Sequence, residues 1–316
     1  RDPYFQIKSL SRDEAKVILD IGIESFHDQT MELEVMLERL DPIGSERQYR
    51  PVLVADNNKS INLKKGRFQF QQGFRIADPA IWWPLGCDNP GRRPLYRATI
   101  SARKQHELCD SQEVRFGLRT VDMARNENDQ LDFPFKVNDN EIYIRGTTLL
   151  ATELLEASFS EEKSVALAER IAAANMNLVR IWGGSTYAPE HFMERCDELG
   201  VLVWQEFPFY AGEYPETKNY WKFVQLEVTH QIRRMRNHPS LLIWVGNADC
   251  EKWLIESGNA TNSADDEKPK GYKLFNRLIK QLCEDYDPGR PYRLSSPTDG
   301  KTPNDLKAGD CHLPHQ

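Results

Sequence analysis

The six cysteines of this 316-residue chain (Cys87, Cys109, Cys196, Cys250, Cys283 and Cys311) include no Cys-x-x-Cys pair and no tight framework of spacings, so most are read as small buried hydrophobes. They leave the redox compartment open. No run of 18 apolar residues occurs, which excludes a membrane-spanning helix, and the first residues, RDPYFQIKSL, carry no charged-then-apolar leader; the segment is expected to be soluble. Basic residues are scattered and the net charge is -7, so nothing forms the electrostatic footprint of a nucleic-acid binder. Nothing in the sequence sets an oligomeric state.

What is present divides at about residue 120. Up to there, short alternating or apolar runs such as Val17–Ile21, Met31–Leu37, Val52–Ala55 and Tyr96–Ile100 are separated by turn formers, and no helical period is sustained. That spacing predicts an immunoglobulin-like β-sandwich over residues 1–120. Trp82 and Trp83 in Ile81-Trp-Trp-Pro-Leu-Gly86 read first as core aromatics at a strand edge.

Beyond the polar stretch Asp122–Asp132 the pattern changes. Asn138-Asp-Asn140 looks like a hairpin turn, and strands then alternate with helices. Strands are predicted at Ile142–Arg145, Asn177–Trp182, Val201–Trp204, Leu241–Val245, Pro291–Ser295 and Gly309–His312. Helices are predicted from a Ser160 cap to Ala174, from Pro189 to the Gly200 stop, up to Met235, and from about Tyr272 to Tyr286; a polar loop fills Ser257–Lys270. Repeated βα units of this size mean a parallel sheet, and strands ending in polar or aromatic residues favour a (β/α)8 TIM barrel over an open sheet. About six of its eight units are counted, so residues 121–316 read as an incomplete TIM-barrel catalytic domain that stops about two units early.

The most informative stretch is Arg233–Glu251. Trp221, Val224, Val228, Ile232 and Met235 make the apolar stripe of a surface helix, and Asn237-His-Pro239 stops it. Leu241–Val245 is continuously apolar, as a parallel strand buried on both faces must be. Gly246 ends it and delivers Asn247, Ala248 and Asp249 to the C-terminal edge, where barrels of this kind build their sites.

Several long motifs, in order, resemble glycoside hydrolase family 2, and most of all its β-mannosidase branch. They are Phe135-Lys-Val-Asn, Ile144-Arg-Gly, Asn175-Met-Asn-Leu-Val-Arg-Ile-Trp-Gly-Gly184, Cys196-Asp-Glu-Leu-Gly-Val-Leu-Val-Trp-Gln-Glu-Phe207, Arg236-Asn-His-Pro-Ser240, Tyr292-Arg-Leu-Ser-Ser-Pro297 and Gly309-Asp-Cys-His312. The resemblance implies a sugar-binding jelly-roll domain before Arg1 and the rest of the barrel after Gln316. It also implies a retaining exo-β-glycosidase acting on a terminal β-linked sugar, with no cofactor and no nucleic-acid or membrane partner, in a secreted, periplasmic or lysosomal compartment.

Retaining hydrolysis needs two carboxyl groups about 5 to 5.5 Å apart, one to protonate the leaving oxygen and one to attack the anomeric carbon. The resemblance puts the acid/base in a Trp-x-Gly-Asn-Asn-Glu pattern on the fourth strand and the nucleophilic Glu on the seventh, beyond this chain. Trp244, Gly246 and Asn247 match that pattern; Ala248 stands for the second Asn, and Asp249 for the Glu. A missing amide at 248 removes a contact expected to a sugar 2-hydroxyl, and Asp249 keeps a carboxyl on a shorter stem. The exo-β-glucosaminidase branch is similar here, with Ser-Asp, so altered specificity stands beside a catalytically degenerate glycan-binding homologue as an alternative. This chain alone, with one carboxyl of the pair, is expected to be inactive.

The remaining site residues follow from the same resemblance or from their place at the strand ends. Arg180 supports the nucleophile, or else forms a salt bridge inside the barrel. Trp182, at the strand mouth, stacks on a sugar ring, an aromatic face being apolar, or else packs in the core. Glu206 accepts from sugar hydroxyls or is a solvated loop carboxylate; Asn247 contacts substrate; Glu251 and Trp253 rim the pocket, or Glu251 stabilises the first turn of the next helix; His312 lies on the substrate side. Thr148 and Ala151 depart from an Asn and a Pro usual in the family. Cys311, His312 and His315 supply no fourth ligand, so no metal site is expected.

Overall fold

The computed structural model describes residues 1–43, 46–52, 57–87, 93–125, 131–150, 160–257, 271–298 and 309–312. β-Sheet predominates, with a smaller helical share. Contacts divide the chain into one unit of residues 1–83, 88–120 and 236–239 and a second of residues 84–87, 121–235 and 240–316.

In the first unit two antiparallel sheets share one core. One is β1 (Tyr4–Leu10), β2 (Glu14–Ser25) and β6 (Gly66–Ala77) in the order β1-β2-β6; the other is β4 (Glu46–Val52), β3 (Gln29–Ile43), β7 (Leu95–Lys104) and β8 (Glu107–Phe116) in that order, with β5 (Asn58–Leu63) also pairing to β3. Strict alternation explains the layering: Ala15, Val17, Leu19 and Ile21 of β2 and Leu33, Val35 and Leu37 of β3 are buried in the same cluster, while the residues between them face away. Phe116 stacks on Phe5 with centroids 4.3 Å apart, and Trp82 is fully buried. Of the predicted run Val52–Ala55, only Val52 lies among the described residues.

The second unit opens with β9 (Val121–Arg125), β10 (Leu131–Val137) and β11 (Asn140–Ile142) in an antiparallel sheet ordered β11-β10-β9. This corrects two sequence readings. The polar stretch from Asp122 contains a strand, in which Met123 turns inward beside the exposed Asp122. Ile142 closes a hairpin opposite Phe135, through a turn at Asn138 and Asp139 with φ of 52° and 64°, instead of starting the parallel sheet.

That sheet begins at β12 (Gly146–Leu149) and continues through β13 (Leu178–Ile181), β14 (Leu202–Glu206), β15 (Leu241–Val245) and β16 (Tyr292–Arg293), all parallel and in sequence order. β14 and β15 are buried at every residue; for β15 its unbroken apolar run requires it, whereas β14 also buries the polar Gln205 and Glu206. Helices α1 (Glu161–Ala173), α2 (Glu190–Leu199) and α3 (Lys218–Met235) connect them. Ser160 caps α1 by accepting the Lys163 N–H, and Gly200, at φ 78°, ends α2 in the left-handed conformation that glycine adopts at least cost. After β15 comes α4 (Cys250–Glu256); later a π-helical turn over Leu274–Ile279 leads into α5 (Lys280–Tyr286).

The last predicted strands are corrected. β16 is two residues long, and its line is prolonged by an Ala248–Ser296 bridge; residues 309–312 make no parallel strand, and only Asp310 forms a bridge, antiparallel, with Thr298. Seen in the structure, Gly309–His312 serves side-chain contacts. Most of the predicted Ser257–Lys270 loop, residues 258–270, lies outside the described residues. No helix among the described residues is long and apolar enough to cross a membrane.

Candidate active site

The C-terminal ends of β13, β14, β15 and β16 present two ionic groups. At the first, Arg180 of β13 meets Glu206, the last residue of β14, in a two-point contact: Nε donates to Oε1 at 2.7 Å and an NH2 nitrogen to Oε2 at 3.1 Å. The Trp204 indole donates to Oε1 at 3.2 Å and the Gly183 N–H to Oε2 at 2.8 Å. Four donors converge, and only an ionised carboxylate can accept from all of them. Burial raises the Glu206 carboxyl above its usual value, and the Arg180 charge, aided by these hydrogen bonds, pulls it back.

The second group surrounds Asp249. Its φ of 58° is left-handed, a conformation Asp tolerates better than most residues, and its backbone N–H donates to the Ser296 carbonyl at 2.8 Å. This turn directs the side chain to His312, whose Nδ1 lies 3.0 Å from Oδ1. His312 Nε2 lies 3.1 Å from Ser296 Oγ, and that hydroxyl donates to Asp310 Oδ2 at 2.5 Å. Asp310 Oδ1 accepts the Thr298 N–H at 3.3 Å and stands 3.5 Å from the buried Arg293 guanidinium. Thr298 Oγ1 donates to Glu251 at 3.2 Å. Among the described residues Asp249 Oδ2 makes no hydrogen bond, and about a fifth of the side chain is exposed (20%).

Two expectations are corrected. Glu206 is fully buried with its lone pairs occupied, so it is neither open to sugar hydroxyls nor a solvated loop residue. Asn247 is likewise buried: its amide oxygen accepts Ser295 Oγ at 2.7 Å and the Cys250 N–H at 3.1 Å, and its nitrogen donates to the Leu294 carbonyl at 2.9 Å. It braces β15 against the segment after β16. Ala248 is also wholly buried, and a side chain built on Gly183 would come within 3.0 Å of its Cβ.

Trp182 is half-buried and sets its ring edge-on to Tyr210 at 4.6 Å, over Gly184, where any Cβ would collide with the indole. Trp253, on α4, is half-buried and donates its backbone N–H to the Asp249 carbonyl. Burial pushes the Cys250 thiol up to about 12, which rules it out as a thiolate at neutral pH. Sequence reasoning missed Tyr210, Ser296, Asp310 and Arg293. Ser296 and Asp310 stood inside recognised motifs, but nothing in their spacing shows that they meet. Among the described residues no three His, Cys, Asp or Glu side chains are grouped to hold a metal ion, and His315 lies outside them.

The model of the family "Glycosyl hydrolases family 2" matches residues 1–119. A β-mannosidase B of Neosartorya fischeri is 32% identical over 249 residues, 76% of this chain and 29% of the relative. The β-mannosidase of Capra hircus is 30% identical over 287 residues, 83% of this chain and 32% of that one. The crystal structure of a β-D-mannosidase from Dictyoglomus thermophilum superposes with a TM-score of 0.85 at 30% identity, covering 99% of this chain and 36% of that one. The chain thus spans about a third of these proteins' length. It belongs to glycoside hydrolase family 2. Within that family its likeness is to the β-mannosidases.

Proposed function

We propose that this chain is part of a retaining exo-β-glycosidase, β-mannosidase-like, with Asp249 as general acid/base and a nucleophilic glutamate supplied by sequence outside these 316 residues. The reading includes an immunoglobulin-like sandwich over residues 1–120 and part of a TIM barrel over residues 121–316. One observation carries it: at the end of a buried parallel strand, Asp249 keeps one carboxylate oxygen bonded to His312 and the other open. A general acid needs that arrangement, one oxygen fixed and one able to reach the departing oxygen.

Around it, the Trp182–Tyr210 pair offers an apolar surface for a sugar ring, with Trp253 at the rim. Arg180, held by Glu206, supports the nucleophile. In the first half-reaction Asp249 protonates the glycosidic oxygen while the nucleophile attacks the anomeric carbon; in the second, Asp249 takes a proton from the water that releases the sugar. The Ala248-Asp249 pair in place of Asn-Glu favours, as a second reading, a specificity like that of exo-β-glucosaminidases. The test is hydrolysis of p-nitrophenyl β-mannoside, β-glucosaminide and β-galactoside by the full-length gene product and its Asp249→Ala variant. Turnover of one substrate that collapses in the variant and is partly restored by azide supports the assignment and names the sugar. Stoichiometric sugar binding with no turnover of any would replace it with a catalytically degenerate binding homologue.

A further inference from the structure

The hydrogens around His312 can be counted. Asp310 Oδ1 stands beside the Arg293 guanidinium and accepts from the Thr298 N–H, so Asp310 is read as a carboxylate that only accepts. The single Ser296 hydroxyl hydrogen is therefore spent on Asp310 Oδ2, at 2.5 Å. Ser296 Oγ can then only accept from His312, which puts a hydrogen on Nε2. The 3.0 Å contact between Nδ1 and Asp249 Oδ1 must contain a hydrogen too, since two lone pairs would otherwise face one another.

Building on the reading of Asp249 as the acid, we propose that His312 is its positioning residue. Its ring, fixed by Ser296 and Asp310, holds one hydrogen on the line to Oδ1 throughout the reaction. Oδ2 is thereby presented to substrate and carries the hydrogen that travels. In the first half-reaction the nucleophilic carboxylate bonds to the anomeric carbon as the anomeric C–O bond breaks, its electron pair leaves with the glycosidic oxygen, and the Oδ2 hydrogen passes to that oxygen. The resulting carboxylate keeps the Nδ1–H donor on Oδ1. In the second, water attacks the anomeric carbon, the bond to the nucleophile breaks with its pair returning to the nucleophile, and the water's proton restores Oδ2–H. Among the described residues, the charged and titratable groups around the ring are Asp249 from the turn after β15, Asp310 and the Arg293 bound to it, and Glu251 of α4 through Thr298. A left-handed, short-stemmed Asp in the family's Glu position has a specific need of such a guide.

The full-length gene product tests this with His312→Leu, His312→Asn and Ser296→Ala, on an alkyl β-mannoside, whose leaving group needs the acid, and on 2,4-dinitrophenyl β-mannoside, whose leaving group does not. His312→Leu is expected to lose about 100-fold in kcat/KM on the alkyl glycoside and less than about 3-fold on the dinitrophenyl one. His312→Asn, which keeps an N–H donor near Nδ1, recovers part of the loss, and Ser296→Ala moves the basic limb of the pH profile while KM stays unchanged. Equal losses on both substrates, or an Asn variant no better than Leu, would overturn the proposal. A second measurement does not depend on turnover: in two-bond 1H–15N spectra of protein labelled at histidine, His312 is expected to carry hydrogen on Nε2, with its Nδ1 resonance moved by Asp249→Asn. A bare Nε2 sinks the proposal even in an active enzyme. The expected spectrum without turnover of any β-glycoside would retain the hydrogen placement and reject the enzymatic reading.

Discussion

Glu206 ends β14 and Asp249 follows its neighbour β15 in one parallel sheet, and each is held by a cationic or cation-forming partner, yet they are opposites. Glu206 is closed: four donors fill its lone pairs and no surface remains. Asp249 is half-open, with Oδ1 on His312 and Oδ2 unbonded among the described residues. A carboxylate with every lone pair engaged contributes to architecture, because none is left for a substrate. One with a single oxygen engaged is oriented and still reactive. Strand-end position alone therefore does not distinguish the two; the count of engaged lone pairs does.

The largest way to break the comparison is Asp249→Asn. Turnover of a substrate with a poor leaving group is expected to fall about 100- to 10,000-fold. Folding should barely change, since Asn also tolerates φ 58° and keeps an oxygen for His312. Arg180→Ala reverses the pattern. Leaving Glu206 buried without its guanidinium is expected to cost about 3–5 kcal/mol, read as a drop in the urea midpoint of the second unit. A loss in that variant confined to poor leaving groups would count against the division of roles.

Smaller effects sharpen it. Trp182→Ala should raise KM about 2- to 10-fold through lost ring contact, with kcat nearly unchanged, if the Trp182–Tyr210 pair is a sugar platform. Asp249→Gly is expected to be about 1 kcal/mol more stable than Asp249→Ala, since only Ala resists the left-handed backbone, as thermal melts of the two would show. The smallest is a pH slope. The Glu206 carboxyl is raised above the 4.5 typical of an unfolded chain, so as pH climbs from there through the folded value the native state still holds a proton the unfolded state has lost. Its contribution to stability falls across that window and is level above it. Urea midpoints against pH should show this decline in the native protein and not in Glu206→Gln.

Periodicity and composition were enough for much of this. The unbroken run of β15, the alternation of β2, the Ser160 cap and the Gly200 stop are local signals, because burial on one or both faces and backbone capping act within a few residues. Asp249 was legible as a candidate by motif and position, and Arg180, Trp182 and His312 by resemblance. The partner of each was not, since residues 180 and 206, 182 and 210, or 249 and 312 meet only after the sheet forms. Only the tertiary structure decided that Glu206 and Asn247 are interior braces, that Ile142 belongs to a hairpin, and that Gly309–His312 makes side-chain contacts to Asp249 and Ser296 in place of a parallel strand. The reason is physical: a strand's burial is set by its own residue pattern, whereas the protonation and reach of a carboxylate are set by whichever distant donors the fold brings beside it.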